Sequence, residues 1–346
     1  MKTNPFTLTF GKEPDCSVSR AVQADEIIAD FSSERPESQV YILTGVRGQG
    51  KTVLLTMITK QFEREKDWIT VNLNPERDLL QALAANLYEY PVLKKAFINA
   101  RLNLSAFGIG LSLEGEPPVS DIEIALRKML DIVKQQGKRV FIAIDEVTNS
   151  QYMRIFSGTF QTLVRFDYPV FLLMTGLFEN IRSLQNEKSL TFLYRAPRIE
   201  LKPLGIKAMA NLYEKILEID ETEATQLAVF TRGYSFAFQV VGYYIYKKHC
   251  SLNDLLPEFD EQMEEKVYEK IWTGLSEGDR EVVRALAIHG KMRTREVIEA
   301  TQNTSASFST YRKRLSDKGL IDTKEYGYLE LSLPRYAEFV KNYEMI

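Results

Sequence analysis

The chain has 346 residues, more than one typical domain holds, so two or three domains are expected. A hydrophobic content of 45% and a charged content of 26% are ordinary for a globular protein, and a formal net charge of −3 at pH 7 argues against a strongly basic nucleic-acid coat. The two cysteines, Cys16 and Cys250, offer no disulfide framework and no metal-ligand spacing, which favours a cytoplasmic protein. No apolar run has the length of a membrane helix or the character of a secretory signal, so no membrane partner is expected.

A phosphate-binding loop is predicted at residues 45–52. The apolar run 40–44 is predicted as a buried strand, and it leads into Gly-Val-Arg-Gly-Gln-Gly-Lys-Thr, which has the P-loop spacing. Glycines let successive N–H groups point at phosphate oxygens, and the following helix adds its positive N-terminal end. Lys51 is predicted to reach the β- and γ-phosphates, and the Thr52 hydroxyl to bind Mg²⁺. The predicted nucleotide contacts here are Gly45, Val46, Arg47, Gly48, Gln49, Gly50, Lys51, Thr52 and Val53.

A parallel sheet is predicted from the segments around this loop. A helix at 52–65 follows the loop and a strand at 68–73 follows the helix, and a β-α-β order implies parallel strands. Residues 74–120 are an addition to this core. They are predicted to contain a helix at 79–100 broken at Pro91 and an irregular strand pair at 104–113.

Two acidic residues end the next apolar strand, at 139–147. Ligands of open α/β sheets bind at the carboxyl ends of the strands, so both side chains are expected near the nucleotide. Asp145 is predicted to hold Mg²⁺, and Glu146 to orient and polarise the attacking water. This pairing suits a reaction in which catalysis is mainly positioning and charge stabilisation.

Three further polar residues are candidates for contact with the phosphates. Thr175 ends the apolar strand at 168–176, where its hydroxyl is expected either to reach the γ-phosphate or the water, or to be satisfied by local backbone. Arg195 and Arg198 precede and begin a short strand at 198–201. Each is a candidate to supply positive charge to the transferring phosphoryl group, in cis or from a neighbouring subunit, and each also fits a surface arginine.

From residue 203 onward the pattern turns helical, and the last 70 residues are predicted to form a separate unit. In that unit three helices precede two short strands around Gly327, which is the winged helix-turn-helix order. The predicted domains are a nucleotide-binding core at 1–203, a helical lid at 204–275 and a winged helix-turn-helix at 276–346.

The third helix of the predicted winged unit, at 307–318, is the candidate recognition helix. It is rich in basic and hydroxyl side chains, which suit phosphate contacts and some base readout. Residues 273–346 nevertheless hold 12 basic and 11 acidic residues, whereas DNA readers usually show a clearer basic face. Double-stranded DNA and a protein partner therefore both stay open. The predicted DNA contacts are Ser309, Tyr311, Arg312, Lys313 and Arg314.

Together the P-loop strand, the Asp-Glu strand, the Thr-ended strand, the helical lid and the winged helix resemble the AAA+ P-loop ATPases. More narrowly, they are similar to the bacterial and archaeal single-chain ATPases related to the origin-initiator and STAND groups, over most of the chain. The resemblance implies an α/β fold with a P-loop core built on a parallel sheet, a helical lid and a C-terminal winged helix. It also implies that Thr175 is the first sensor and makes Arg195 the better trans-acting arginine.

The resemblance further implies contacts with the adenine base. Val18 and Arg20 match a Val-Gly-Arg segment that cradles adenine in the family, although Ser19 replaces the glycine. Tyr234 lies in a lid motif of the Gly-x-Pro type that lacks its proline here. The helix after Tyr234 carries no sensor arginine, and Arg232 is the nearest substitute.

The predicted function is that of an ATPase which couples Mg-ATP hydrolysis to conformational change, slowly when alone, and acts on double-stranded DNA. ATP or ADP and Mg²⁺ are the predicted cofactors. The alternative is a slow-hydrolysing nucleotide switch or scaffold whose winged helix docks a protein partner. The missing lid arginine and the nearly neutral winged unit favour that alternative. A trans-acting arginine implies a partner subunit or a homo-oligomer.

Overall fold

The computed structural model describes residues 3–9, 14–110 and 117–345, which form two compact units. The core unit comprises Arg20–Thr44 and Lys51–Glu200. The lid–wing unit comprises the described residues of Met1–Ser19, Gly45–Gly50 and Leu201–Ile346. In the described part of the chain, no helix combines the length and the apolar character that crossing a membrane requires.

A parallel five-stranded sheet forms the centre of the core unit, in the order β2-β3-β4-β1-β5. The near-continuous apolar runs of the sequence form these strands because both faces of the sheet are covered, and every residue of β4 is buried. Since β4 lies between β1 and β3, its last residues lie beside the end of the strand that leads to Asp145. The strands are β1 Val40–Thr44, β2 Trp68–Leu73, β3 Arg139–Ile144, β4 Val170–Gly176 and β5 Arg198–Glu200.

Helices cover both faces of this sheet. On one face, Phe31 from the first helix and Phe62 from the second pack with aromatic side chains of the strands. On the other face, apolar residues of the third, fifth and sixth helices pack against the strands, among them Leu83, Leu126 and Phe156. The helices are α1 Ala21–Ser32, α2 Lys51–Arg64, α3 Leu79–Glu89, α4 Pro91–Asn99, α5 Ile122–Gln135, α6 Gln151–Arg165 and α7 Phe178–Gln185, with 3₁₀ turns at Ser105–Phe107 and Lys188–Tyr194.

The predicted addition at 74–120 is partly as expected. Its helix breaks at the predicted place, because Pro91 occupies the first turn of α4, where a missing N–H costs nothing. The predicted strand pair at 104–113 is wrong over the part that is described, which contains a 3₁₀ turn. The Asn103 side chain accepts hydrogen bonds from the N–H and the hydroxyl of Ser105 at 3.1 and 2.7 Å, and so starts a turn. Residues 111–113 lie outside the described residues.

Helices and one small sheet make up the lid–wing unit. Its three-stranded antiparallel sheet has the order β6-β8-β7, and three helices precede the β7–β8 hairpin in the predicted winged helix order. A last helix, absent from the sequence expectations, packs on the first of those three. The elements are α8 Ile206–Leu217, α9 Glu221–Phe230, α10 Ser235–Lys248, α11 Leu256–Met263, a π-helical turn at Glu264–Tyr268, α12 Glu269–Thr273, α13 Glu277–His289, β6 Met292–Arg293, α14 Thr294–Ala300, α15 Ser305–Asp317, β7 Ile321–Asp322, β8 Tyr328–Leu331 and α16 Tyr336–Glu344.

The lid helices and the winged helix share one hydrophobic core, which extends from Met209 in α8 to Leu315 in α15. Polar contacts also join them. The Arg335 guanidinium binds the Asp260 carboxylate through two hydrogen bonds of 2.6 and 2.5 Å, and the Tyr268 hydroxyl donates to the Pro334 carbonyl. The predicted boundary at 275/276 stays a prediction about domains, but the two parts pack as one compact unit.

Candidate nucleotide site

Two side-chain hydroxyls and one backbone N–H of the core unit donate to one carboxylate, that of Asp145. The Thr52 hydroxyl, in the first turn of α2, donates to Asp145 Oδ2 at 2.7 Å, and the Thr175 hydroxyl at the end of β4 donates to Oδ1. The Glu146 N–H also donates to Oδ1, at 3.1 Å. The two predicted Mg²⁺ ligands, Thr52 and Asp145, therefore lie in direct contact.

This donor set fits Mg²⁺, which prefers oxygen ligands and in nucleotide sites takes one or two from the protein and the rest from phosphate and water. A hydroxyl from Thr52 and a carboxylate from Asp145 are such ligands. Among residues 3–9, 14–110 and 117–345, no group of three or more His, Cys, Asp and Glu side chains is arranged to hold a metal ion. Any Mg²⁺ here would depend on phosphate and water oxygens for most of its ligands.

Glu146 adopts a left-handed backbone conformation, with φ of 52°. Non-glycine residues in this region cost free energy and recur at functional sites. Two hydrogen bonds support the conformation, because the Glu146 N–H donates to Asp145 and, at 3.1 Å, to the Thr175 hydroxyl. The side chain of Glu146 is exposed, as a residue that orients an attacking water must be.

Thr175 is fully buried, and its hydroxyl lies between the two acidic residues. It donates to the Asp145 carboxylate and accepts from the Glu146 N–H, while its carbonyl accepts from the Val147 N–H at 2.8 Å. The sequence left open a phosphate contact or local satisfaction of this hydroxyl. Its partners here are the acidic pair, so Thr175 positions the groups predicted to bind Mg²⁺ and water.

The loop Gly45–Gly50 joins β1 to α2, and its carbonyl groups contact the start of α10. The carbonyl of Arg47 accepts from the Tyr234 hydroxyl, that of Gly48 accepts from the Phe236 N–H at 3.1 Å, and that of Gln49 accepts from the Ser235 hydroxyl at 3.1 Å. Since the C=O and N–H of a trans peptide point in opposite directions, the N–H groups of the following residues point away from α10. Such an arrangement of N–H groups is what a phosphate-binding loop uses.

The other predicted loop residues have distinct surroundings. Lys51, the first residue of α2, is buried, and Val53, two residues later, is half-buried. The Gln49 side chain is also buried and donates to the carbonyl of Lys202 at 3.0 Å. Val46 packs against the hydrophobic core of the lid–wing unit. The side chains of Gln49 and Val46 therefore contact other parts of the lid–wing unit.

The predicted adenine contacts lie in both units. Val18 is half-buried against the core of the lid–wing unit, whereas Arg20 precedes α1 of the core unit. Burial lowers the pKa of the Arg20 guanidinium to about 10. Tyr234 is buried beside the loop, and burial raises the pKa of its hydroxyl. Of these three residues, Tyr234 has a direct contact with a predicted loop residue.

The candidate arginines are in different places. Arg195 is exposed at the end of a 3₁₀ turn, and Arg198 is exposed on β5, with its guanidinium 4.8 Å from the centre of the Phe178 ring. Arg232 donates from Nη1 to the carbonyl of Leu331 in β8. Arg232 therefore binds the wing, and its proposed use as a sensor for nucleotide would require it to leave that carbonyl.

The predicted DNA contacts on α15 divide into two groups. Arg314 donates from Nε to the buried Asp279 carboxylate at 2.8 Å, and the Tyr311 ring packs where a Cβ on Gly278 would otherwise lie. Both side chains therefore contact the start of α13. Ser309 and Lys313 are exposed and Arg312 is half-exposed, so these three remain directed toward solvent.

Sequence reasoning missed two residues that bind the loop, Ser235 and Phe236. Ser235 was visible only as the start of a predicted helix. Its position after the Gly233-Tyr234 turn was the available signal, because a hydroxyl residue at a helix start often bonds to nearby backbone groups. The Phe236 contact is made by its backbone N–H, so its side chain carried no signal.

Comparison with solved structures identifies the fold. The chain is similar to the ORC2 protein of Aeropyrum pernix, solved in ADPNP–ADP complexes, with a TM-score of 0.56, 14% sequence identity, and 97% of each chain covered. The chain shares the fold of that ORC2 protein. This finding confirms the resemblance and the fold class expected from the sequence.

Other comparisons of this chain with solved structures give lower TM-scores. Cdc6p of Pyrobaculum aerophilum matches with a TM-score of 0.48 and 14% identity over 98% of each chain. The ORC1 protein of Aeropyrum pernix in complex with DNA matches with 0.45 and 12%, over 96% of this chain and 94% of that one. A domain family of unknown function, DUF8462, matches residues 265–340. No curated protein matches the sequence.

Proposed function

We propose that this protein binds ATP with Mg²⁺ and hydrolyses it, slowly when alone, to drive a conformational change. The observation that carries the proposal is the hydrogen-bonded cluster of Thr52, Asp145 and Thr175, with the exposed Glu146 beside it. A loop with P-loop spacing, directly before Thr52, supplies the expected phosphate cradle. The fold shared with an initiator protein that was solved with nucleotides also supports it.

In this proposal each residue has a limited task. Mg²⁺, when bound, neutralises charge on the phosphates, and Thr52 and Asp145 are its protein ligands. Lys51 adds a positive charge toward the β- and γ-phosphates. Glu146 accepts a hydrogen bond from the attacking water and so orients it toward the γ-phosphate. Thr175 holds Glu146 and Asp145 in position. Arg195 is the candidate to supply charge to a neighbouring subunit.

The test of this proposal is a Glu146→Gln variant. Its amide keeps the shape of the side chain but cannot polarise water, so ATP turnover should fall by about a hundredfold or more while nucleotide binding persists. Phosphate release measures turnover, and the anisotropy of a fluorescent ATP analogue measures binding. Glu63→Gln, which changes an exposed glutamate of α2, is the matched control and should behave as wild type. Unchanged turnover in Glu146→Gln would contradict the proposed role.

For the winged helix we propose contact with double-stranded DNA through the exposed side chains of Ser309 and Lys313 and the half-exposed side chain of Arg312. The test replaces Arg312 and Lys313 together by alanine and leaves Arg314 in place, because Arg314 supports the fold of α13 and α15. Loss of two phosphate contacts should weaken binding to a random-sequence duplex and reduce the salt slope by about 2.

The control for DNA binding is Lys207→Ala with Lys215→Ala, which removes the same charge from exposed positions of α8. Equal binding by both double variants would contradict a specific role of α15. Absence of DNA binding at low salt, together with isolation of the protein with bound ADP, would favour the second candidate function, a slow nucleotide switch that docks a protein. The contact of Arg232 with β8 and the lack of an arginine at the start of α10 favour that candidate.

A further inference from the structure

Three consecutive residues of the lid–wing unit bind three consecutive carbonyl groups of the P-loop. These three residues, 234–236, are called the latch below. Two of the hydrogen bonds come from side-chain hydroxyls, those of Tyr234 and Ser235, and the third from the N–H of Phe236. Tyr234 is buried, so water does not compete for its hydroxyl, and a hydrogen bond is stronger in such surroundings.

The loop and the latch also fit each other sterically. Gly48 has φ of 78°, and a Cβ built on it would overlap the Tyr234 hydroxyl and lie 3.3 Å from Cβ of Phe236. Only glycine combines that conformation with the available space. The close approach of the latch therefore depends on a glycine that the P-loop pattern does not itself require, since the position falls among its four variable residues.

The same unit connects the loop to the winged helix by two routes. Arg232, two residues before the latch, donates to the Leu331 carbonyl in β8. Val46 of the loop contacts the turn after α15, where a Cβ built on Gly319 would lie 2.5 Å from Cγ2 of Val46. The winged helix is thus in contact with the loop itself and with the segment that holds the loop.

We propose that the latch transmits the nucleotide state of the P-loop to the winged helix. The inference rests on the proposed binding of nucleotide and adds a route of regulation to it. A trans peptide is planar, so a rotation that directs its N–H toward a phosphate also moves its carbonyl. The Gln49 N–H donates to the Val46 carbonyl at 3.2 Å, so it must turn to bind a phosphate, and the Gly48 carbonyl of the same peptide turns with it and changes its hydrogen bond to the latch. The latch and Arg232 carry that change to β8, and Val46 carries the movement of the loop to the turn after α15.

The experiment is amide hydrogen exchange in the full chain, with and without Mg²⁺ and a non-hydrolysable ATP analogue. The analogue is added at a saturating concentration for each variant. In the wild type, the exchange rates of the amides at 317–321 and 328–331 should change by roughly fivefold when the analogue binds. A fivefold change corresponds to the net free energy of one hydrogen bond. Tyr234→Phe removes only the latch hydroxyl and should abolish most of the change at 328–331, which the latch reaches through Arg232.

Tyr213→Phe is the matched control. Its hydroxyl is also buried and also donates to a backbone carbonyl, that of Phe238 at 2.7 Å, but within the lid helices. This variant should keep the full response of the winged helix. Ser235→Ala, at a half-buried position, provides a second and milder test of the latch and should reduce the response.

The outcomes separate the latch from the ATPase proposal. A wild-type response in both Tyr234→Phe and Ser235→Ala would overturn the latch. Binding of the analogue by the wild type without any change in exchange at the winged helix would also overturn the latch, and would leave the proposed ATPase intact. Failure of the wild type to bind the analogue would overturn the proposed function and the latch with it.

Discussion

The hydroxyl of Thr175 contacts both acidic residues of the candidate site. It donates to the Asp145 carboxylate and accepts from the Glu146 N–H, in a fully buried position. The left-handed conformation of Glu146 depends on such support, because it is unfavourable for a residue with a side chain. A single buried side chain therefore sets the geometry of the groups proposed to bind Mg²⁺ and to orient water.

We predict that Thr175→Val lowers kcat for ATP hydrolysis by about tenfold to a hundredfold. Valine has the shape of threonine but neither donates to Asp145 nor accepts from Glu146, and an unmade buried hydrogen bond costs about 1–3 kcal/mol. Steady-state phosphate release measures the effect. Thr175→Ser keeps the hydroxyl and should retain most of the activity. Equal kcat values for the valine variant and the wild type would show that the hydroxyl is not needed.

The two cysteines are predicted to differ in reactivity. Burial raises the pKa of the Cys16 thiol to about 11, whereas Cys250 is half-buried. The thiolate is the reacting form, so a raised pKa lowers its share at every pH below about 11. At pH 8 Cys16 should react with a disulfide reagent about a hundredfold more slowly than an ordinary thiol. Cys250→Ser should remove the fast phase and Cys16→Ala the slow one, and equal rates would contradict the prediction.

Single residues of the site were predictable only where a short motif specifies the chemistry. The loop glycines, Lys51 and Thr52 belong to such a motif. Arg314 and Arg232 do not, and their partners, Asp279 and Leu331, are 35 and 99 residues away in sequence. The sequence shows that these arginines are charged, but it does not show which distant group receives their hydrogen bonds.

Among the elements, those with a clear apolar pattern were predicted and those shaped by tertiary contacts were not. The strands β1, β3 and β4 are apolar runs with both faces covered, and the sequence indicates them directly. Helix α16 begins at a residue with a left-handed conformation, Arg335, and is stabilised by burial of Tyr336, Phe339 and Val340 against the rest of the unit. Local propensity alone does not reveal such a helix.

The N-terminal strap, defined as residues 3–9 and 14–19, was also not predicted. Its Phe6 ring packs 5.6 Å from the Phe238 ring and occupies the space that the missing side chain of Gly242 leaves. The Gln239 side chain accepts from the Thr7 N–H at 3.0 Å and donates to the Cys16 carbonyl at 2.8 Å. The described residues of this segment, which lack apolar periodicity, are held against the lid helices by these contacts.

We predict that Phe6→Ala lowers the free energy of unfolding of the lid–wing unit by about 3–5 kcal/mol. Phe6 is 2% exposed, and truncation of such a phenylalanine leaves a cavity beside Phe238 and Gly242. Urea denaturation followed by circular dichroism measures the effect. Tyr326→Ala truncates a fully exposed aromatic residue of the same unit and should change stability by less than about 0.5 kcal/mol. A similar small effect for Phe6→Ala would mean that the strap adds little stability.

The lid and the winged helix belong to one compact unit of the structure. The lid at 204–275 and the winged helix at 276–346 were predicted as separate domains, and they lie together in one compact unit with a shared core. A sequence shows which faces of helices are apolar, but not which helices those faces meet. A shared core also explains how a change at residues 234–236 can reach the winged helix without a hinge between the two parts.

Trp272, in α12, is placed to report on this shared core. It is 2% exposed, and the guanidinium of Arg280 in α13 lies 5.5 Å from its ring centre. The chain has two tryptophans, so a Trp68→Phe background makes Trp272 the sole fluorescent tryptophan. In that background, destabilisation of the lid and destabilisation of the winged helix can be followed with one probe.

We predict that the lid and the winged helix unfold together. Met209→Ala creates a cavity in the lid and Leu315→Ala creates one in α15, and each should cost about 2–5 kcal/mol because both side chains are fully buried. If the core is shared, both variants lower the urea midpoint of Trp272 fluorescence, in step with the circular dichroism. A midpoint of Trp272 fluorescence that differs from the circular dichroism midpoint in either variant would show that the lid and the winged helix unfold independently, and would remove the structural basis for transmission from the latch to the winged helix.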